Sequence, residues 1–285
     1  MLKIIKSEML TAAIDTHGAE LKSVRDEKGN EFMWEANPDV WGNSAPIMFP
    51  ICGGLKEDKY RYEGKEYTLS KHGFAKLSDF ETESISENSV TMLLKSNAET
   101  KKKYPFDFEF RAVFSVEGST LNIMYEVKNL SGGSMYFSLG GHEAYSTPEG
   151  IEEYDIVFDK KETLDAFALE GNILSYNKTN IITESEVLAL NDDYFKVDAL
   201  VFKEHNSNSC TLVHRNGTRR VKVEYSDFNQ LLLWHKHLAK YICIEPWNGT
   251  ADCSDANGNI EDKYAIIKLP EKESYRASHS ITFSM

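Results

Sequence analysis

The stretch Gly140-Gly141-His142-Glu143-Ala144-Tyr145 sets a histidine directly after a glycine pair, with apolar residues leading in. Glycine permits backbone approaches that a Cβ would forbid, so the pair can hold the histidine at a strand end facing a ligand. Histidine has the unperturbed pKa nearest neutrality and can give or take a proton there. A plain bend with a packed or capping histidine fits the same residues. Glu245 ends the apolar run Tyr241-Ile242-Cys243-Ile244, shares a face with Cys243 and Tyr241, and precedes Pro246-Trp247-Asn248-Gly249. Such a carboxylate is expected to be partly buried beside aromatic surface, and desolvation raises its pKa toward the range of a general base. A structural carboxylate accepting backbone or tyrosine hydrogen bonds fits equally well. Trp234 and Trp247 flank the same hairpin. Aromatic faces near a carboxylate suit sugar rings, whose C–H faces are apolar and whose edges are hydroxyls, although they also suit a core.

Other chemistries are signalled weakly or not at all. His72 precedes Gly73, whereas His235 and His237 sit two apart among polar neighbours. The latter two would share a strand face that a metal could use, but no third ligand is signalled and a solvated face is the expectation. Cys52, Cys210, Cys243 and Cys253 form no C-x-x-C pair and no disulfide framework, so free thiols in a reducing cytoplasm are expected. Asp255-Ala256-Asn257-Gly258 resembles part of a calcium loop, but Cys253 would stand at its first position, which excludes it. No P-loop, G-x-S-x-G elbow, H-E-x-x-H or dinucleotide fingerprint occurs. Two carboxylates across a glycosidic bond cannot be placed from sequence, so glycoside hydrolysis stays open. The residues point to histidine–carboxylate acid–base work on a small polar ligand.

The elements that must position these groups read as strands. Phe106, Phe108, Phe110, Ala112, Phe114 and Val116 alternate with polar residues, and the pattern resumes after Glu117-Gly118 with Leu121, Ile123, Tyr125 and Val127. Period-two alternation puts the apolar set on one face, which predicts an antiparallel hairpin. Further strands are expected over 19–25, 31–35, 60–62, 66–69, 79–86, 89–96, 152–158, 209–213, 221–225, 230–237 and 241–245. Ser44 to Leu55 carries two prolines and a glycine pair and is expected along the wall of a cleft. Only Asn97 to Tyr104 invites a helical turn. Many short strands between turn signals predict an all-β sandwich or barrel in one domain, 1–285.

Charge and hydropathy exclude some partners. Thirty-two basic against 45 acidic residues give a net charge of −13, which disfavours nucleic acid and anionic membrane. No run approaches the roughly 20 apolar residues of a membrane span. The early charges in Met1-Leu2-Lys3-Ile4-Ile5-Lys6 argue against a signal peptide, so a cytoplasmic location is expected. A monomer or weak homodimer is the expected assembly.

Taken together, Phe49-Pro50-Ile51-Cys52-Gly53, Lys71-His72-Gly73-Phe74-Ala75, Gly140-Gly141-His142 and Ile244-Glu245-Pro246-Trp247 resemble, in order and spacing, the aldose 1-epimerase (galactose mutarotase) family. The likeness extends to the bacterial branch associated with lactose operons and runs from the first strand to about Lys268. It implies a mostly antiparallel, galactose-mutarotase-like β-supersandwich that interconverts the α and β anomers of a free hexose such as galactose or glucose without cofactor or metal. By position it makes Glu245 the general base and His142 the general acid. His72 becomes a ligand of the ring oxygen or neighbouring hydroxyls, and Asp198 a carboxylate holding sugar hydroxyls. Trp234 is expected to line the sugar site. Where most relatives carry a sugar-binding arginine this chain has Gly54, and Lys56 or Arg61 is the expected replacement. Two alternatives follow. Lys56, Lys59, Lys71 and Lys76 are candidates for phosphate recognition in a hexose-6-phosphate 1-epimerase, and Gly54 motivates a non-catalytic carbohydrate-binding or sensing protein.

Overall fold

Alternation governs the middle of the chain. In Phe108–Glu117 and Thr120–Asn129 every second side chain is buried, and the two strands pair from Phe108↔Asn129 to Glu117↔Thr120 around a two-residue turn. The computed structural model, which describes residues 1–285, builds this hairpin into a sheet of fourteen strands. From one edge the order is Leu139–Gly140, Tyr241–Asn248, Gln230–Trp234, Leu200–Phe202, Tyr154–Glu170 and Ser209–His214. It continues through Arg220–Glu224, Ser274–Ser284, Thr120–Asn129, Phe108–Glu117 and Ser89–Lys95 to Glu81–Ile85. Its ladders are antiparallel. A three-stranded sheet of Leu2–Lys6, Leu10–Asp15 and Leu21–Asp26 packs against it, and the largest buried apolar cluster runs from Ile5 to Phe283.

Some strand expectations change, and the run expected over 230–237 is strand only to Trp234. Residues 31–35 make only isolated bridges, Arg25↔Glu31 and Met33↔Tyr145. Ile173–Ala189, unmarked in the sequence, is a 17-residue strand paired with the equally long Tyr154–Glu170. Most of its side chains are exposed and its register shifts repeatedly, so no buried face imposes alternation. The helical turn is present as Ala98–Lys103, where the Asn97 side chain accepts from the Glu99 and Thr100 backbone N–H groups. No helix is long and apolar enough to cross a membrane.

Beneath the cleft, Phe49 anchors the irregular segment that the sequence placed along its wall. Its ring lies 4.6 Å from that of Phe110 and 5.1 Å from that of Phe108, within a group that includes Tyr104 and Phe137. Its carbonyl accepts the N–H groups of Phe74 at 3.0 Å and Ala75 at 3.1 Å. Aromatic burial thereby ties Pro50–Gly53 to the turn that carries His72.

Candidate active site

Tyr241–Asn248 is buried along its whole length, flanked on one side by Gln230–Trp234 and on the other by two short strands, Leu139–Gly140 and Glu143–Ser146. Pairing of Glu143 with Ile244 and of Gly140 with Trp247 puts His142 opposite Glu245 and Gly141 opposite Pro246. Proline has no N–H to give a ladder, and the flanking strand is interrupted at this point. Glu245 therefore does not end its strand, as the sequence suggested, but sits within it beside the interruption. The cross-strand pair faces the cleft with His142 Nδ1 3.4 Å from Glu245 Oε1. Nδ1 is buried and makes no hydrogen bond.

The cleft measures about 530 Å³, a volume suited to a small-molecule ligand. Trp41, Trp234 and Trp247 contribute aromatic walls. The rings of Trp41 and Trp234 lie 5.1 Å and 5.5 Å from that of His142, and Trp247 lies 5.6 Å from His72. His72 Nδ1 accepts the Gly53 N–H at 3.2 Å, while the His72 backbone N–H donates to the Gly53 carbonyl at 2.8 Å. That contact assigns the imidazole proton to Nε2, so neutral His72 is left with a donor to offer. Asp198 half-faces the cleft, its Oδ1 accepting the Ala199 N–H at 2.8 Å. The structure thus brings His72, His142, Glu245, Asp198 and Trp234 to one cavity.

Lys56 does not join them. Its exposed ammonium donates to the Ser254 carbonyl at 3.1 Å, and Arg61 is likewise turned away onto Asn257 and Asn259. The space at Gly54 is taken instead by the tip of the long hairpin. A Cβ on Gly54 would stand 2.6 Å from the Cβ and carbonyl oxygen of Asn172. Leu174 holds that tip down, with its N–H on the Asp252 carbonyl and its carbonyl taking the Ser254 N–H. Asn172, in the turn before a strand that the sequence did not signal, lines the cleft together with Asn43, Lys71 and Lys76.

The glycine pair is also required by packing. A Cβ at Gly140 would meet the Trp247 indole at 2.6 Å, and one at Gly141 would meet the Glu143 carboxylate at 2.5 Å. Both glycines thereby make room for neighbouring side chains. His235 departs further from expectation, being buried rather than solvated. Its Nε2 lies 2.6 Å from Asp192 Oδ1 and its Nδ1 2.8 Å from the Tyr241 carbonyl, while His237 pairs with the other Asp192 oxygen. Both ring nitrogens of His235 are thereby engaged.

Burial overrides the ordinary acid–base values assumed from sequence. It pushes Glu245 well above the carboxylate range, with Glu143 and Asp198 adding to the rise and Lys71 opposing it. Burial also lowers His142 to about 3 and His72 well below its ordinary value, and Lys71 and Lys76 act in the same direction on both. Each member of the pair is disfavoured in its charged form.

This broad, mostly antiparallel sheet architecture is the galactose-mutarotase-like β-supersandwich. A galactose mutarotase related enzyme from Lactobacillus acidophilus shares it at a TM-score of 0.95 with 37% identity, over 100% of this chain and 98% of that one. A galactose mutarotase-like protein from Lactobacillus casei ATCC 334 superposes at a TM-score of 0.94 with 26% identity, over 99% and 100%. Protein LacX from a Lactococcus lactis plasmid is 32% identical over 292 residues, covering 98% of each chain. The aldose 1-epimerase family model matches residues 1–282, and the chain belongs to that family.

Proposed function

We propose that the protein is an aldose 1-epimerase, a cofactor-independent isomerase acting on a free hexose such as galactose or glucose. The observation that carries this reading is the cross-strand pair, His142 Nδ1 3.4 Å from Glu245 Oε1 at the floor of an aromatic-walled cleft. Glu245 takes the proton of the anomeric hydroxyl and His142 gives one to the ring oxygen, breaking the C1–O5 bond. The open aldehyde turns about C1–C2, and closure returns both protons. Nε2–H of His72 donates to the ring oxygen or a neighbouring hydroxyl, Asp198 accepts from sugar hydroxyls, and Trp234 covers a C–H face.

Polarimetry of freshly dissolved α-anomer tests it. The protein is expected to speed equilibration, and Glu245→Gln to lose about 10²–10⁴-fold, the usual worth of a positioned acid or base. Equal rates for the two proteins would rule the mechanism out. Saturable sugar binding without faster equilibration would identify a carbohydrate-binding protein instead.

A second substrate class is favoured by one observation. Lys71 and Lys76 line the cleft, and no hydrogen bond or ion pair engages either ammonium in a chain of net charge −13. Unpaired cations at a cavity wall suit an anionic substituent such as a 6-phosphate. If that is the substrate, Lys71→Gln and Lys76→Gln will each raise KM for the phosphorylated hexose about tenfold more than KM for the free sugar, roughly 1.4 kcal/mol. Equal effects on both sugars would refute it.

A further inference from the structure

Cys243 stands two residues before Glu245 on the same strand face, and His142 crosses to Glu245 from the neighbouring strand. One ligand atom from each of these three buried residues can be chosen so that all lie within 4.8 Å of one another. Zinc takes sulfur, nitrogen and oxygen ligands at about 2.0–2.3 Å in a tetrahedron, which spaces a nitrogen and an oxygen on one ion about 3.3 Å apart. His142 Nδ1 and Glu245 Oε1 already stand 3.4 Å apart, and Nδ1 has no other partner. His142 and Glu245 also line the cleft, which gives a cation an entry path. No other cysteine shares such a cluster, and Cys253 has the Lys203 ammonium 3.3 Å from its sulfur, which repels a cation.

We propose that Cys243, His142 and Glu245 form an inhibitory site for a thiolate-binding divalent transition cation such as Zn²⁺, exclusive with the sugar. Binding needs only these three side chains. The inhibition alone rests on the epimerase reading, since the ion would occupy the lone pairs that the proton transfers require.

Chelator-treated protein is titrated with Co²⁺, whose thiolate complexes absorb in the near ultraviolet through sulfur-to-metal charge transfer. One Co²⁺ per chain with that band is expected, displaced stoichiometrically by Zn²⁺. Cys243→Ser should abolish the band and weaken Zn²⁺ binding at least tenfold. The same variant should keep the mutarotation rate measured without metal and become at least tenfold less sensitive to Zn²⁺, with the sugar competing against Zn²⁺ in the parent protein. If the serine variant does not fold, Cys243→Ala and His142→Gln, read by binding alone, carry the same expectation. No charge-transfer band at millimolar Co²⁺, or a band that survives replacement of Cys243, overturns the proposal. Because the spectrum needs no turnover, an inactive protein that gives the band would refute the epimerase reading and leave the metal site standing.

Discussion

In the form that burial favours, both side chains of the His142–Glu245 pair are neutral and its one titratable proton sits on Glu245. Ionised Glu245 with protonated His142 carries the same number of protons, so passing between the two forms requires no exchange with bulk water. The pair loses its base when a second proton is added, which the depressed His142 value sets near pH 3. It loses its acid when the last proton leaves, which the elevated Glu245 value moves above the ordinary carboxylate range. Mutarotation is therefore expected to stay level as pH falls through 6.5, the unperturbed histidine value, and to decline on the alkaline side. Rate measurements at constant ionic strength check this, and an acid limb centred near 6.5 would contradict it. At this scale the sequence was informative about residue types. His72, His142 and Glu245 stood beside glycine, proline and tryptophan, and all three face the cleft. Their protonation was not legible, because desolvation depends on what the remainder of the chain places around them. Asn43 and Asn172 were missed as cleft residues for the same reason, since nothing local marks a polar side chain as facing inward.

At the scale of elements, the segment that carries Asp198 is held by one carboxylate. Asp192 begins the turn Asp192–Phe195, which leads to Asp198, and its oxygens engage His235, His237 and the Leu238 N–H at 2.7 Å. The segment is thereby pinned to the turn after Gln230–Trp234. Hydrogen bonds to charged groups contribute about 1.5–3 kcal/mol, so Asp192→Ala should cost stability on that order. It should also raise KM for the sugar by about tenfold while leaving kcat within about twofold, as expected when binding and not chemistry is lost. Calorimetry and steady-state kinetics read the two effects. A fall in kcat with KM unchanged would place the loop in the chemical step instead. The His235-x-His237 spacing was visible in the sequence, but Asp192, more than forty residues earlier, was not. The hairpin 108–129 was fully legible because each of its strands has one buried face, whereas Ile173–Ala189 lies over solvent and leaves no periodic trace.

On the scale of the whole molecule, the all-β class was legible from alternation and turn signals, while the strand order was not. Tyr154–Glu170 pairs with Ser209–His214, and Ser274–Ser284 with Thr120–Asn129, across separations that no local pattern encodes. The largest buried cluster draws on both ends of the chain, and the proposal that residues 1–285 form one domain makes a simple prediction. Calorimetric unfolding should show one transition, whereas two resolved peaks would divide the chain. Gly54 and Asn172 give this long-range construction a practical meaning. Because the tip of a hairpin from a distant part of the chain fills the space beside Gly54, residue 54 is not an independent position for redesign. An arginine grafted there alone would have to displace Asn172 and with it the clasp to Asp252 and Ser254. The smallest exchangeable unit is the loop around 54 together with the hairpin tip, so cleft walls transplanted between relatives must travel as matched pairs.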